Sequence, residues 1–486
     1  MSQFEEPETR RGWTSEPDGR GTMQILWACI LTMFLCSWSI LCLNVPGTCE
    51  SKRLVLRRKI AMTMTSILCP EVPFGIALSQ WLHARQAVRD IRSLECSDDP
   101  EAMKRFQPYH PGRSVQRESP TKRQQWTIRE AFFAEMGGFR LQSLDYPPFP
   151  IDAEQILYLV SRGYMELPSV DCRYIEDKNK ADGLLRSLTL CQTLWFLVSM
   201  VGRWVQGLVT TGLELTTVSF ALCSCMTAFV WWYKPADVFV PEVLKNDIKI
   251  DDILQAERVK LDGWTHTPLD FINHREWFGS IACSNYVHVL TSLGVKLGSD
   301  VTPIDRIPDT WSKEVSRGQQ WLCVALCMVF LSVFFVAWRH DFPSEVEKIL
   351  WRIAACTMTI SPLLVLLLAE IDRYWPGFTK PSSNDPSPEK VVTEPSRSDP
   401  DREESPPSER GPGRLSRVLD NMRNNSPRQD AALSMSLKAM IPLYIAALAY
   451  IVARIYIMIA DFVELRSLPL SAYDTVEWQE FWPHFG

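Results

Sequence analysis

The stretch MQILWACILTMFLCSWSILCL, residues 23–43, decides the fold class of this chain because it contains no charged residue. The uncharged window extends further, from Gly21 to Cys49, and covers 29 residues. A helix needs about 20 residues to cross the ~30 Å hydrocarbon core of a bilayer. The sequence therefore predicts a first membrane span at this position.

The charged residues of the chain are concentrated outside such windows. They make up 22% of the 486 residues and leave a net charge of only −6. This balance gives no bulk attraction to nucleic acid. The first 20 residues are polar and acidic and lack the apolar core of a cleaved secretory signal, so we expect the first apolar segment to be retained.

Six further apolar segments repeat the pattern. Because backbone groups in lipid find no water, each spanning segment must be a helix. The sequence therefore predicts an all-α, polytopic membrane helix bundle of about seven spans, with a range of six to eight. Charges shorten the uncharged windows of the third and sixth segments. The predicted spans are residues 23–43, 60–82, 187–209, 215–233, 318–338, 349–369 and 439–460.

The hydrophilic segment between the second and third predicted spans, residues 83–186, contains a helical pattern. Asp152 is a suitable N-cap, and apolar residues then recur on one helical face. Gly163 and Pro168 mark a turn after it. The pattern predicts a small helical hairpin that packs against the bundle or the membrane surface. The apolar residues of this face are Ile156, Leu159 and Val160.

Two other hydrophilic segments differ in character. Residues 234–317 include the segment 247–262, whose apolar residues recur at helical spacing and predict an amphipathic helix. Residues 376–430 are rich in proline, serine and mixed charges, which predicts a disordered linker. Basic residues flank the predicted spans on both sides, so they leave the sidedness of the termini open. The polar termini are residues 1–22 and 461–486.

Ionisable side chains inside the predicted spans are the candidate functional residues. Each costs about 2.5 to 3.5 kcal/mol on insertion scales, so a carboxylate and an arginine that meet inside the bundle would offset each other. Such a pair could bind a charged substrate, relay a proton or tie the spans together. The candidates are Glu71, Arg203, Arg352, Arg454 and, at a span end, Asp461.

Prolines surround the carboxylate in the stretch SILCPEVPFGIAL, residues 66–78. Pro70 and Pro73 remove two backbone donors and disturb the carbonyl groups one turn earlier. Broken helices of this kind line substrate or ion sites in transporters, and the same residues also make ordinary kinks. Pro362 lies within the sixth predicted span and has no accompanying charge.

No pattern of catalytic or metal-binding residues stands out in the sequence. The seven histidines are scattered, whereas membrane di-iron enzymes need several histidines at short helical spacings. The 14 cysteines form no zinc pattern. The chain also lacks a nucleophile elbow, a phosphate-binding glycine loop and an HExxH motif. We therefore predict no catalytic residue, no metal site and no cofactor.

Several segments together resemble an uncharacterised family of fungal multi-pass integral membrane proteins. In chain order they include CPEVPFGIALSQW, FFAEMGGF, IEDKNKADGL, WWYKPADVFVP, HTPLDFI and ARIYIMIADFVELRSLPL. The resemblance implies a membrane-embedded fold, and it carries no activity, cofactor or catalytic residue with it. It also implies that Glu71 belongs to a Pro-Glu pattern in the second span. This chain departs from the family at Cys42, Cys69 and Asp461, where the resemblance leads us to expect His, Ala and Glu.

The sequence is compatible with three functions. The first is a non-enzymatic structural or accessory protein in which Glu71, Arg203 and Arg454 organise the bundle and the polar loops meet protein partners. The second is a transporter-like protein with a polar site at the kinked second span. The third is a membrane-bound enzyme or accessory of a specialised-metabolite pathway. All three place a multi-pass chain in a lipid bilayer, with no nucleic-acid partner and with neither the membrane nor a small-molecule ligand identified.

Overall fold

The structure is a computed structural model, and it shows a mostly helical chain with a few short strands. It describes residues 10–14, 20–48, 50–95, 126–168, 180–261, 265–273, 280, 303–339, 342–375 and 436–478. The helices are α1 (Thr22–Ser39), α2 (Lys52–Leu68), α3 (Glu71–Glu95), α4 (Ile128–Glu135), α5 (Ala153–Ser161), α6 (Lys180–Val205), α7 (Gly212–Val230), α8 (Ile250–Ala256), α9 (Arg317–Leu331), α10 (Glu345–Tyr374) and α11 (Leu437–Glu464). The strands are β1 (Arg10–Arg11), β2 (Phe139–Gln142), β3 (Phe149–Ile151), β4 (Glu242–Lys245) and β5 (Leu468–Pro469).

Six helices of the described chain are long and apolar enough to cross a membrane, and a bent helix pair makes a seventh if it is taken as one span. The prediction of an all-helical bundle with six to eight spans is confirmed at this level. The six helices match predicted spans because the same uncharged windows that suit lipid also let every backbone group bond within a helix. They are α1, α6, α7, α9 with the 3-10 helix Ser332–Arg339, α10 and α11.

Polar residues gather at the two ends of the bundle. At one end, which we call the domain end, the Asn44 amide donates a hydrogen bond to Asp309. The side-chain oxygen of Asn44 accepts hydrogen bonds from Gln80 and Lys234. At the other, which we call the tail end, β1 pairs with β5, so residues near the start of the described chain lie beside residues near its end. The domain end comprises residues 40–48, 50, 126–168, 231–261, 265–273 and 303–316, and the tail end comprises residues 10–14, 20–21, 206–211, 342–344 and 465–478.

Each of the six long helices runs from one of these ends to the other. The first residues of α6 contact the domain end, where Arg186 donates to the carbonyl of Lys234, and its last turn reaches the tail end. Similarly, α10 begins at the tail end beside Arg466 and ends where Glu370 pairs with Arg317. The helices therefore alternate in direction, because each begins at the end of the bundle where the preceding one finished.

The bent pair formed by α2 and α3 behaves differently from the six long helices. The two helices differ in direction by 110° across the break at Cys69 and Pro70. Cys69 lies outside the helical region (φ −140°, ψ 74°), which the residue before a proline avoids because its backbone clashes with the proline ring. Both arms return to the loop after α1, since Arg58 on α2 donates to the Asn44 carbonyl and Gln80 on α3 contacts the Asn44 side chain. The second predicted span, residues 60–82, therefore folds as a helical hairpin that enters and leaves at the domain end.

A three-stranded sheet that the sequence analysis missed forms the centre of the domain end. β2 pairs antiparallel with β3 and parallel with β4. Strands of three or four residues, buried almost throughout in β2 and β3, show no alternation of polar and apolar residues. Asp152 caps α5 as predicted, accepting from the amides of Glu154 and Gln155.

The structure describes only part of two other predictions for the polar segments. The first helix of the predicted helical hairpin is α5, and residues 169–179, which directly follow the predicted turn, lie outside the described residues. The predicted amphipathic helix 247–262 shortens to α8, which buries Ile250, Ile253 and Leu254. It ends before Arg258, whose φ is 54°. The predicted linker 376–430 lies outside the described residues.

Buried ion pairs hold the hairpin to the domain end. Arg58 is 2% exposed, and its Nε lies 3.0 Å from Asp309 while its Nη1 bonds to Glu50. Arg306 contacts the same two carboxylates at 2.9 and 3.1 Å. Burial alone would raise the pKa of Asp309, but the guanidinium groups of Arg58 and Arg306 hold it below its usual value. Two arginines and two carboxylates thus neutralise each other at the base of the hairpin.

We expect the substitution Asp309→Asn to lower the free energy of unfolding at pH 7 by about 3 to 5 kcal/mol, because it leaves buried guanidinium groups short of a carboxylate. The folded-state pKa of Asp309 is depressed, so its stabilising contribution is complete above the unfolded value of about 3.9 and is lost as the pH falls through the folded value. The stability difference between wild type and variant should therefore close at acidic pH. Unfolding of the detergent-solubilised protein as a function of pH measures this difference.

Asp252→Asn is the control for that experiment because Asp252 is exposed on α8. A surface change of this kind should alter stability by less than about 0.5 kcal/mol. If Asp309→Asn is as stable as wild type at pH 7, the four-residue ion network does not hold the hairpin in place.

Candidate functional site

One face of α11 carries ionisable and hydroxyl groups into the interior of the bundle. The side chains recur every three to seven residues on one side of the helix and are at most 9% exposed. From first to last they cover about 21 Å at 1.5 Å per residue, which is most of a hydrocarbon layer of ~30 Å. We call this set the α11 polar face, and its members are Tyr450, Arg454, Asp461 and Glu464.

Glu71 meets this face at the turn of the hairpin. Its Oε2 accepts a hydrogen bond of 2.6 Å from the Tyr450 hydroxyl, while its Oε1 is buried and makes no hydrogen bond. Glu71 is the first residue of α3, where the positive end of the helix dipole favours a carboxylate. In the described part of the chain no arginine lies within ion-pair distance of it. The sequence pointed to an arginine partner, and the structure supplies a phenol one helical turn away from Arg454.

Arg454 is 1% exposed and has little compensation for its charge. Its guanidinium lies 5.5 Å from the ring centre of Phe334, on the 3-10 helix that follows α9. Its Nε and Nη1 are buried without a hydrogen-bond acceptor. A cation over an aromatic face gains about 2 kcal/mol when desolvated, which is less than the cost of burying the charge.

Asp461 lies closer to the tail end, and it is also 1% exposed. The Thr216 hydroxyl lies beside it, yet neither carboxylate oxygen makes a hydrogen bond. Gly212 allows this close approach of α7 and α11, because a Cβ there would overlap Glu464 Oε2 and lie 3.0 Å from Asp461 Oδ1. The Gly212 amide instead donates to Glu464 at 2.9 Å.

A small cavity lies beside the hairpin turn, between Pro70, Pro73 and α7. Its volume is about 10 Å³, close to the space that one water molecule needs. Cys223, Ser224 and Thr227 of α7 line it, and the Cys223 thiol donates to the Pro70 carbonyl at 3.2 Å. The carbonyl that the broken helix exposes is thereby satisfied inside the bundle.

The other two arginines among the predicted site residues lie far from Glu71. Arg203 is buried at the end of α6 and donates only to carbonyl oxygens, with distances between 2.6 and 3.3 Å, so it fastens the C-terminal segment to the bundle. Arg352 stacks 4.9 Å over Trp338 and donates to its carbonyl at 2.8 Å. The acceptors of Arg203 are the carbonyls of Val209, Ser471, Ala472 and Asp474.

The prolines predicted to kink helices behave in three ways. Pro70 interrupts the chain between α2 and α3. Pro73 lies in the first turn of α3, where a missing amide costs little. Pro362 lies inside α10, which continues through it. Only the proline that precedes Glu71 redirects the chain.

Lys234 is a buried charged residue that the sequence analysis missed. Its Nζ donates to the Cys42 carbonyl at 2.8 Å and to the side-chain oxygens of Gln80 and Asn44 at 2.9 and 3.1 Å. It also lies 4.7 Å from the ring centre of Trp231. Burial among neutral oxygens lowers the pKa of Lys234 to about 8. Its position just after the aromatic cluster WWY was the available signal, because a lysine there must either reach water or find acceptors inside.

Metal ligation finds no support in the described residues. They contain no group of three or more His, Cys, Asp or Glu side chains placed to hold an ion. Their cysteines are free thiols. What the arrangement offers chemically is three ionisable groups with buried atoms that make no hydrogen bond, able to exchange a proton or to meet a charged solute, and these are Glu71, Arg454 and Asp461.

We expect Tyr450→Phe to destabilise the protein by about 1 to 3 kcal/mol, because Glu71 then keeps its burial and loses its hydrogen-bond donor. Chemical denaturation in detergent micelles measures the change. The matched control is Tyr456→Phe on the same helix, which removes a 3.3 Å bond to a backbone carbonyl. Equal effects of the two substitutions would show that the Tyr450 hydroxyl has no special role.

Comparison with known proteins identifies a family without identifying an activity. Residues 2–259 and 420–485 match the profile of a family of unknown function, DUF8562. The matched segments contain Glu71 and the whole α11 polar face, whereas α9 and α10 lie outside them. No curated protein and no solved structure matches the chain. Since the match covers about two thirds of the residues, this chain belongs to the DUF8562 family.

Proposed function

We propose that this protein is a multi-pass integral membrane protein with a non-enzymatic, structural or accessory role. One observation carries the proposal: all six long apolar helices run between the domain end and the tail end, and the polar segments collect at these ends. A bilayer around the helices would leave both ends in water. The resemblance to fungal multi-pass membrane proteins supports the same conclusion.

The contacts of the buried charges support the structural part of this proposal. Arg203, Lys234 and Asp309 each join segments that are far apart in the sequence. The contacts of Lys234 and Asp309 fix the domain end as a folded unit on one side of the bundle, and those of Arg203 fix the tail end. That unit, with its sheet and its short helices, is the surface through which protein partners would bind.

The proposal predicts the topology of the chain. Because the six long helices alternate and the hairpin returns to its own side, the N- and C-termini should lie on one side of the membrane. Residues 96–125 and 376–430 should lie on the other. Epitope tags at both termini and in each of these two segments, probed with protease in sealed vesicles and after permeabilisation, measure the arrangement.

The control for the topology experiment is that all tags stay intact without protease, in sealed and in permeabilised vesicles alike. Termini on opposite sides would mean that the α2–α3 hairpin crosses the membrane as a seventh span. Release of the protein from membranes by alkaline carbonate would contradict integral insertion itself.

A second candidate function is a transporter-like role, and a specific observation favours it. Glu71 at the hairpin turn and Arg454 and Asp461 on the α11 polar face keep buried polar atoms without hydrogen bonds. Buried groups of this kind are rare and call for an explanation. Inside a membrane, ionisable side chains next to a broken helix are the usual components of a proton or ion path.

Proton flux into reconstituted vesicles tests the transporter-like role. We expect wild-type protein to dissipate an imposed pH gradient faster than empty vesicles, and Glu71→Gln to abolish the difference while its unfolding transition stays close to that of wild type. Glu345→Gln, a change at the exposed start of α10, should leave the flux unaltered. If wild-type vesicles are as tight as empty ones, the α11 polar face serves the structural role alone.

A further inference from the structure

We propose that a groove between α1, α6 and α7 at the domain end binds the phosphate group of an anionic phospholipid. The inference rests on the proposed membrane insertion of the protein and concerns a site that is separate from the α11 polar face. The groove has a volume of about 200 Å³. Its lining residues are Ile40, Arg186, Ser187, Leu190, Ala228, Trp231 and Trp232.

Arg186 is the cation of the groove, and its charge is not neutralised. Its Nη1 donates to the carbonyl of Lys234 at 3.5 Å, and its Nη2 contacts the Cys42 thiol. Its Nε is buried and makes no hydrogen bond. None of the carboxylates in the described chain lies within ion-pair distance of it. A guanidinium with only neutral acceptors favours a bound anion, and its planar donors suit a phosphate.

The positive charge of this region is strengthened by Lys234. Its ammonium group lies close enough to Arg186 to interact electrostatically with it. The nearest carboxylates that act on Lys234 are Asp309 and Glu135, and these are paired with Arg58 and Lys313. The groove therefore lies at the positive side of the domain end, where an anion lowers the electrostatic energy of both cations.

The shape of the groove favours a lipid over a free anion. Ile40, Leu190 and Ala228 form its apolar wall, and the neighbouring Leu184 and Phe229 are 69% and 78% exposed on the outside of the bundle. Acyl chains can follow this outer surface while the phosphate meets Arg186 and the Ser187 hydroxyl. A volume of roughly 150 Å³ already holds a benzene-sized molecule, so the groove accommodates a phosphodiester and the first carbons attached to it.

The tryptophan residues indicate that the groove lies at the depth of the lipid headgroups. Trp231 and Trp232 follow directly after α7, and Trp232 is 59% exposed. Tryptophan side chains prefer the boundary between hydrocarbon and headgroups, and basic pockets between helices at this level bind anionic headgroups. The site therefore takes its ligand from the leaflet on the domain side.

Binding of phosphatidylglycerol and phosphatidylcholine to the purified, delipidated full-length protein tests the proposal. We expect native mass spectrometry to show tighter binding of phosphatidylglycerol by wild type, and Arg186→Gln to reduce that preference about fivefold, as the loss of one basic residue near an anionic surface implies. Arg162→Gln is the matched control, because that arginine lies over a tyrosine ring but already faces Glu257 at 3.4 Å. Its lipid preference should equal that of wild type.

Two further measurements keep the result interpretable. Ala228→Phe fills the apolar wall while Arg186 remains, so it should also reduce binding of phosphatidylglycerol. Inorganic phosphate should not compete with the lipid at millimolar concentration, and competition that depends on Arg186 would show a site for free anions. Equal affinity of wild type for the two lipids would overturn the proposal. Flotation of the protein with vesicles reports membrane insertion separately, so that result would leave the proposed function intact.

Discussion

The sharp turn at Cys69 and Pro70 is the constraint on which the rest of the structure depends. It sends α3 back toward the loop after α1, so that Arg58 and Gln80 both reach Asn44. Because α3 returns, it can pack against α4 and α5 of the domain end. The same turn places Glu71 at the tip of the hairpin, inside the bundle, where its side chain contacts Tyr450 of α11. One local break in a helix therefore positions both the polar domain and the candidate site.

Two sets of buried charges in this protein differ in their partners. At the domain end, Arg58 and Asp309 meet opposite charges and are fully compensated. Inside the bundle, Glu71, Arg454 and Asp461 meet a phenol, an aromatic ring or only a hydroxyl. Neutral partners compensate a charge less completely in a low-dielectric interior than an opposite charge does. Protonation or a charged solute would therefore have a larger effect at Glu71, Arg454 and Asp461 than at the Arg58–Asp309 pair.

Much of the helical architecture was predictable because its signals are local. Each of these signals affects only nearby residues, and they are the uncharged windows, the N-cap Asp152 and the proline before Glu71. The small sheet was missed because β2 and β3 are too short and too buried to show alternation. The contact between Glu71 and Tyr450 has no such local signal, since the two residues are 379 positions apart in the chain. An arginine was the obvious partner by charge, and the folded chain supplied a hydroxyl group.

The sequence by itself determined where the long apolar helices lie and where the second one breaks. In an apolar medium every backbone group must form its hydrogen bond within its own helix, so a run of consecutive apolar residues is enough to predict such a helix. Only the tertiary structure decided that the broken helix turns back, that Lys234 binds three neutral oxygens, and that Arg203 holds the C-terminal segment. Those outcomes depend on backbone carbonyls, which every residue carries, and on side-chain amides, which are common. A pattern of residue types therefore does not reveal which of these groups a buried cation will meet.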